Sequence, residues 1–246
     1  MTEPEFLARP DGARLAYRRR KGASPGIVFI GGFMSDMTGT KASFLDEFAA
    51  KRKRAFLRFD LFAHGASSGA FRDATVGRWR DDVLAALDEL SEGPQIVVGS
   101  SLGGWLMLHA ALARPDRVAA LVGIAAAPDA TALMWDSFPK KVRRTIKTKG
   151  EIALPSGYGD APYIFTRTLI QEGRKHLLTG KPIPIMCPVR LLQGVADPDV
   201  PWRTSLKLAR KLKSDDVEIT FVKDGDHRLS RPRDLDLLAR TIDALL

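Results

Sequence analysis

Cysteine is almost absent from this chain: Cys187, between Met186 and Pro188, is the only one in 246 residues. A lone thiol forms no internal disulfide, which suits a reducing compartment. Its place at the start of an apolar run reads as a buried structural thiol rather than a nucleophile. No apolar run reaches the roughly 18 residues that a membrane-spanning helix requires, so no stable membrane insertion is expected. The amino terminus, Met1-Thr2-Glu3-Pro4-Glu5, is acidic and has no apolar stretch of the kind a secretory signal needs. These absences set the expectation of a cytoplasmic protein. Three motifs are missing as well: G-x-x-x-x-G-K-[ST], G-x-G-x-x-G with a following acid, and H-E-x-x-H. The four histidines lack metal-ligand spacing. Neither a metal nor a nucleotide cofactor is therefore expected.

Acidic charge is the scarcer sign, 29 carboxylates against 38 lysines and arginines, for a net charge of +9. The excess is clustered at Arg18-Arg19-Arg20-Lys21, at Lys51-Arg52-Lys53-Arg54, and between Lys140 and Lys149. No aromatic residues interleave with these clusters as a base-stacking platform requires. They read as solvated surface, and no nucleic-acid partner is expected.

What is present is a full complement of core. Hydrophobic residues make up 45% of the chain, enough at this length for a single α/β domain over 1–246. Phe6-Leu7-Ala8-Arg9 and Arg14-Leu15-Ala16-Tyr17 flank Pro10-Asp11-Gly12 as the strands of an antiparallel hairpin. Ile27 to Ile30, Ala55 to Asp60, Gln95 to Val98, Val118 to Ile124, Val189 to Gln193 and Val217 to Val222 read as strands. Helical spacing falls between them, over 41–53, 75–90, 102–114, 201–212 and 235–246. Strands alternating with helices predict a mostly parallel, doubly wound sheet, with ligands beyond the carboxyl ends of its strands. The segment at about 129–186 breaks the pattern. It is basic and interrupted by Pro and Gly, with helical pieces such as Tyr163 to Ile170. It reads as a helical lid inserted over the site.

The chain is organised around Gly99-Ser100-Ser101-Leu102-Gly103. G-x-S-x-G between a strand and a helix is a nucleophile elbow. The sharp turn strains the serine backbone and leaves no room for side chains at Gly99 and Gly103. Ser101 then stands at a helix N-terminus, where developing negative charge is favoured.

A serine hydroxyl needs a base to take its proton and an acid to orient that base. In this kind of sheet the order is Ser, acid, His. His109 lies on the helix after the elbow and reads as packed. His176 falls in the lid, with a solvated or substrate-side role open. His64 precedes the elbow, in the wrong order for a base, though it can line the site. His227 follows the last strand, where the order puts the base. Asp197, after the penultimate strand, is first choice for the acid, with Asp199 as a turn-maker before Pro201. Asp226 is badly placed to orient its own neighbour. The oxyanion hole is expected from the N–H of Leu102 and the N–H of Phe33, in the loop that Gly31 and Gly32 open.

These residues resemble the α/β-hydrolase superfamily. Within it the chain is similar to the group of mitochondrial palmitoyl-protein thioesterases also described as acyl-glucuronide esterases, the alpha/beta-hydrolase domain-containing protein ten group. The resemblance is carried by GFMSDMTGTKA (Gly32 to Ala42), GPQIVVGSSLGGWLMLHAALARP (Gly93 to Pro115), CPVRLLQGVADPDVPW (Cys187 to Trp202) and DHR (Asp226 to Arg228). It implies the same triad of Ser101, Asp197 and His227. It also implies hydrolysis of acyl thioesters or activated esters without a cofactor, an S-acylated protein being one such substrate. The chain has no Arg/Ser-rich leader, so the mitochondrial address is not expected to transfer. The loop Asp60-Leu61-Phe62-Ala63-His64 departs from the group's pattern. Two rival readings are a general carboxylesterase for small esters and a non-catalytic binding protein on the same scaffold.

Overall fold

The computed structural model describes residues 3–156 and 162–246. Strands β1 (Glu5–Ala8) and β2 (Arg14–Arg20) form the hairpin, and β3 (Ala23–Ile30) enters the core. Then follow α1 (Thr40–Lys51), β4 (Arg54–Phe59), α2 (Val76–Leu90), β5 (Gln95–Ser100), α3 (Leu102–Ala113) and β6 (Val118–Ile124). The next segment holds α4 (Ala130–Ser137), α5 (Lys140–Lys149), β7 (Glu151–Leu154), β8 (Tyr163–Thr166) and α6 (Arg167–Gly173). The chain ends with β9 (Val189–Gly194), α7 (Arg203–Ala209), β10 (Val217–Val222) and α8 (Pro232–Asp243).

One sheet runs β1-β2-β4-β3-β5-β6-β9-β10. The pairs β1–β2 and β2–β4 are antiparallel, and every later pair is parallel. From β3 the chain first steps outward to β4, then crosses back to β5 on the other side. The strand order therefore reverses between β3 and β5, and a crevice opens at their carboxyl ends. Ile30 and Ser100 end these two strands, so the Gly31–Gly32–Phe33 loop and Ser101 emerge side by side.

Both faces of the sheet are covered. Trp79 and Val83 of α2 and Trp105 and Leu106 of α3 pack with Val28, Ile30 and Val97 on one face. Leu45 and Phe48 of α1 join Leu238 and Ile242 of α8 on Ile27, Phe29 and Val98 on the other. α3 is apolar nearly all round, and ten of its twelve residues are buried, as a helix against the centre of a sheet must be. Two of the basic clusters are tied to the acidic surface, Arg20 to Asp46 and Arg52 to Asp243. No helix among the described residues is long and apolar enough to cross a membrane.

The segment between β6 and β9 departs from the expectation of helices alone. Tyr163–Thr166, expected to be helical, is a strand paired antiparallel with Glu151–Leu154. Aromatic and β-branched residues suit that ribbon, and the helix starts only where Thr166 Oγ1 accepts the Leu169 N–H as its cap. The segment has a small core of its own: Phe138, Ile146, Phe165 and Ile170. The helix expected over 201–212 is shorter, because the chain after Ala209 leaves it to bridge Leu212 to Ile183.

His109 is packed, as its place on α3 suggests, with Nε2 facing the His176 carbonyl at 3.1 Å. His176 is neither solvated nor on the substrate side. Its Nε2 meets the Glu172 carboxylate, which also accepts the Gly77 N–H at the start of α2. Burial pushes the His109 pKa down to about 4. The unfolded chain therefore binds more protons between about pH 6.5 and 4. Above about pH 6.5 the group costs the fold nothing, and the penalty of keeping it neutral grows as pH falls through that window. His109→Gln is expected to make urea stability fall less steeply between pH 7 and 4 than in the wild-type protein.

Candidate active site

At the end of β5 the backbone turns sharply through Ser101, at φ 54° and ψ −115°. A non-glycine residue held there costs on the order of 1–3 kcal/mol, so the surroundings must impose it. They do: the Ser101 N–H is fixed to the Ile124 carbonyl at 2.9 Å, and its own carbonyl accepts from Gly104 and Ala127. A side chain at Gly103 would meet the Ile30 carbonyl at 2.2 Å, so only glycine lets α3 start this close to β3.

His227 lies just past β10 and Asp197 just past β9, and the sheet brings both to Ser101. The Ser101 hydroxyl stands 3.0 Å from His227 Nε2. His227 Nδ1 donates to Asp197 Oδ2 at 2.9 Å. A carboxylate only accepts, so this bond sets the tautomer and leaves Nε2 bare toward the hydroxyl. The other Asp197 oxygen accepts the N–H groups of Asp199 and Val200 at 2.8 and 2.9 Å. Burial pushes the Asp197 carboxyl up, but His227 and these two N–H groups outweigh it and hold it below its ordinary value. Asp199 sits in the turn that Asp197 caps. Asp226 turns the next loop, accepting the Leu229 N–H at 2.9 Å.

Asp197, Asp199 and His227 are also the one acid–imidazole group close enough to hold a cation among the described residues. The hydrogen bonds to Asp197 already engage both of its oxygens.

Three supporting side chains escape a reading of the sequence. Gln193, fully buried, donates to Asp197 Oδ2 at 3.1 Å and accepts from Ser205 at 3.0 Å. Its signal is a lone amide inside an apolar strand. Lys41, in the first turn of α1, donates to the Arg228 carbonyl and Ser230 hydroxyl, pinning the loop that carries His227. Burial lowers its pKa to about 8. His64 is buried behind the loop after β3, with Met34 N–H donating to its Nε2 at 3.0 Å.

That loop lies against the elbow: a Cβ on Gly32 would stand 3.4 Å from Ser101 Cβ. The N–H groups of Phe33 and Leu102 bond no other group among the described residues. The Phe33 ring stacks on Phe165 at 5.5 Å and meets Phe71, Trp79 and Tyr163 edge-on.

Ser101 and His227 open into a cavity of about 570 Å³. Leu133, Met134, Phe138, Tyr163 and Phe165 form an apolar wall, all from the segment between β6 and β9. Asp36, Lys41 and Arg228 add polar groups to its lining. Cys187 lies outside this cavity, and burial raises its thiol pKa.

Known proteins share this architecture. The α/β hydrolase family matches residues 27–240. A bovine relative named "palmitoyl-protein thioesterase ABHD10, mitochondrial" is 47% identical over the whole chain, which covers 80% of that relative. The structure of mouse alpha/beta hydrolase domain-containing protein 10 superposes with a TM-score of 0.92 at 46% identity, over 99% of this chain and 98% of that one. A putative hydrolase from Agrobacterium vitis superposes with a TM-score of 0.94 at 40% identity, over 99% and 98%. The bovine name corrects the cytoplasmic expectation: a relative this similar over the full chain is named mitochondrial, and the lack of cysteine pairs and apolar runs says nothing against that. With fold, elbow and full-length likeness in agreement, this chain belongs to the α/β hydrolase family.

Proposed function

We propose that the protein is a serine hydrolase of acyl thioesters and esters, with Ser101 as nucleophile, His227 as base and Asp197 as the acid that orients it. The observation that carries this reading is the unbroken relay from Asp197 to His227 to Ser101, at distances of 2.9 and 3.0 Å, on a strained elbow at the edge of a cavity. Ser101 attacks the acyl carbonyl while His227 takes the hydroxyl proton. The carbonyl oxygen becomes an anion in front of the Phe33 and Leu102 N–H groups, which have no other partner among the described residues. His227 returns the proton to the departing thiol or alcohol. Water, activated by the same imidazole, then attacks the acyl-enzyme and releases the acid.

The apolar wall supports a long acyl chain. The segment at about 129–186 acts in this reading as a lid that shapes the acyl subsite, and the name of the bovine relative favours a palmitoylated protein as substrate. An acyl-chain panel tests it. Methylene burial adds roughly 0.8 kcal/mol each, so two buried methylenes already exceed a factor of ten. Hydrolysis of a palmitoyl thioester peptide is expected to exceed that of the acetyl thioester by more than about tenfold in kcat/KM. Equal rates across the panel would favour a general carboxylesterase. Failure of a fluorophosphonate to label Ser101 would favour a binding protein.

A further inference from the structure

We infer that His64 is a positioning residue for the oxyanion hole, holding the loop whose Phe33 N–H faces the developing anion; this rests on the serine-hydrolase reading above. His64 follows β4 and is only 4% exposed, yet both ring nitrogens are engaged. Nδ1 lies 3.0 Å from the Phe62 carbonyl, which can only accept. Nε2 lies 3.0 Å from the Met34 N–H, which can only donate. The two partners together require the neutral ring with its proton on Nδ1 and a bare lone pair on Nε2. Burial disfavours the charged ring and supports that state. The ring itself is clamped, 5.4 Å from Phe71 and 5.4 Å from Trp79, and the Trp79 indole N–H shares the Phe62 carbonyl.

Met34 is where this clamp acts. Its φ of 53° is a left-handed conformation that a side-chain-bearing residue keeps only when its surroundings impose it. The bond to His64 satisfies the N–H that this conformation turns inward. Met34 N–H belongs to the Phe33–Met34 peptide, so its direction sets ψ of Phe33 and, through it, the neighbouring Gly32–Phe33 peptide. That neighbour carries the oxyanion N–H.

Farther on, the loop is pinned at Met37, whose N–H donates to Asp60 at 2.6 Å and whose carbonyl accepts from Arg58 at 3.0 Å. Between Gly32 and Asp36, among the described residues, His64 makes the one hydrogen bond from outside the loop. Without an acceptor there, the Phe33–Met34 peptide loses the hydrogen bond from outside the loop that fixes its direction. The donor then loses its aim, while the triad, built on other loops, is untouched.

The experiment compares four proteins: wild type, His64→Phe, His64→Gln and His64→Asn. Phenylalanine keeps the aromatic packing and removes both polar contacts. The Gln amide reaches the position of Nε2 and can accept the Met34 N–H. The Asn amide reaches only the position of Nδ1. Each is assayed for folding by thermal melting, for kcat and KM on p-nitrophenyl butyrate, and for inhibition by a boronic acid, whose tetrahedral adduct needs the oxyanion hole. His64→Phe and His64→Asn are expected to lower kcat by about 10- to 100-fold, with KM within about threefold. The boronate Ki should rise in proportion, and His64→Gln should recover most of both.

Should His64→Phe fail to fold, the Gln and Asn pair gives the same comparison. Gln and Asn variants that fold and share one kcat and one boronate Ki overturn the inference. So does a kcat loss with unchanged boronate affinity, which marks a general structural role. Fluorophosphonate labelling of the wild-type protein separates the two failures: labelled wild type with indifferent His64 variants sinks this inference alone, and unlabelled wild type sinks the hydrolase reading and this inference with it.

Discussion

Ser101→Ala is expected to remove turnover almost completely, on the order of a millionfold in kcat, as when a serine hydrolase loses its nucleophile. The hydroxyl it deletes carries no structural load: its one partner among the described residues is His227 Nε2 at 3.0 Å. Alanine fits the same cramped turn, so the fold and melting temperature should be preserved. The protein should still bind substrate, because the cavity wall is unchanged. Measured on a p-nitrophenyl ester with purified protein, retained wild-type turnover would show that another group performs the attack. Fluorophosphonate labelling should disappear in parallel, which guards against a contaminating esterase.

Asp197→Asn should be nearly as damaging, roughly 10⁴-fold in kcat, for a different reason. The amide keeps the size of the carboxylate, and its oxygen can still accept the Asp199 and Val200 N–H groups, so the turn survives. The atom facing His227 Nδ1 becomes an NH₂. A donor there favours the tautomer with its proton on Nε2, and the imidazole then presents a hydrogen to Ser101 instead of a lone pair. The nucleophile loses its base although every heavy atom is in place. KM should change little. A loss of less than about tenfold would mean that Asp197 does not orient the base.

Much of this site could be read from the chain because its logic is sequential. The elbow needs small residues at fixed offsets from the serine, and G-x-S-x-G between an apolar strand and an apolar helix records that need locally. His227 and Asp197 are recognisable because each follows a strand in an order that the sheet imposes. The supporting groups carry no such mark. Gln193 matters because β9 lies where its amide reaches Asp197, and Lys41 because α1 begins beside a loop 187 residues later. His64 has the wrong order for a base, and its use depends on a backbone N–H thirty residues earlier. Tyr163–Thr166 is open to misreading for another reason: three apolar residues and a threonine fit either period, and only the pairing with Glu151–Leu154 decides for a strand. Location was the poorest inference, since an address is read by cellular machinery rather than written in packing.

The relay joins positions 126 residues apart, and its base lies beyond the last strand of the sheet. During synthesis, then, the nucleophile's turn can form long before the imidazole has left the ribosome. On the proposed roles of Ser101 and His227, hydrolysis would have to wait for the far edge of the sheet to close. Recovered activity in a refolding experiment therefore times the arrival of the carboxyl-terminal strands, not the collapse of the central core.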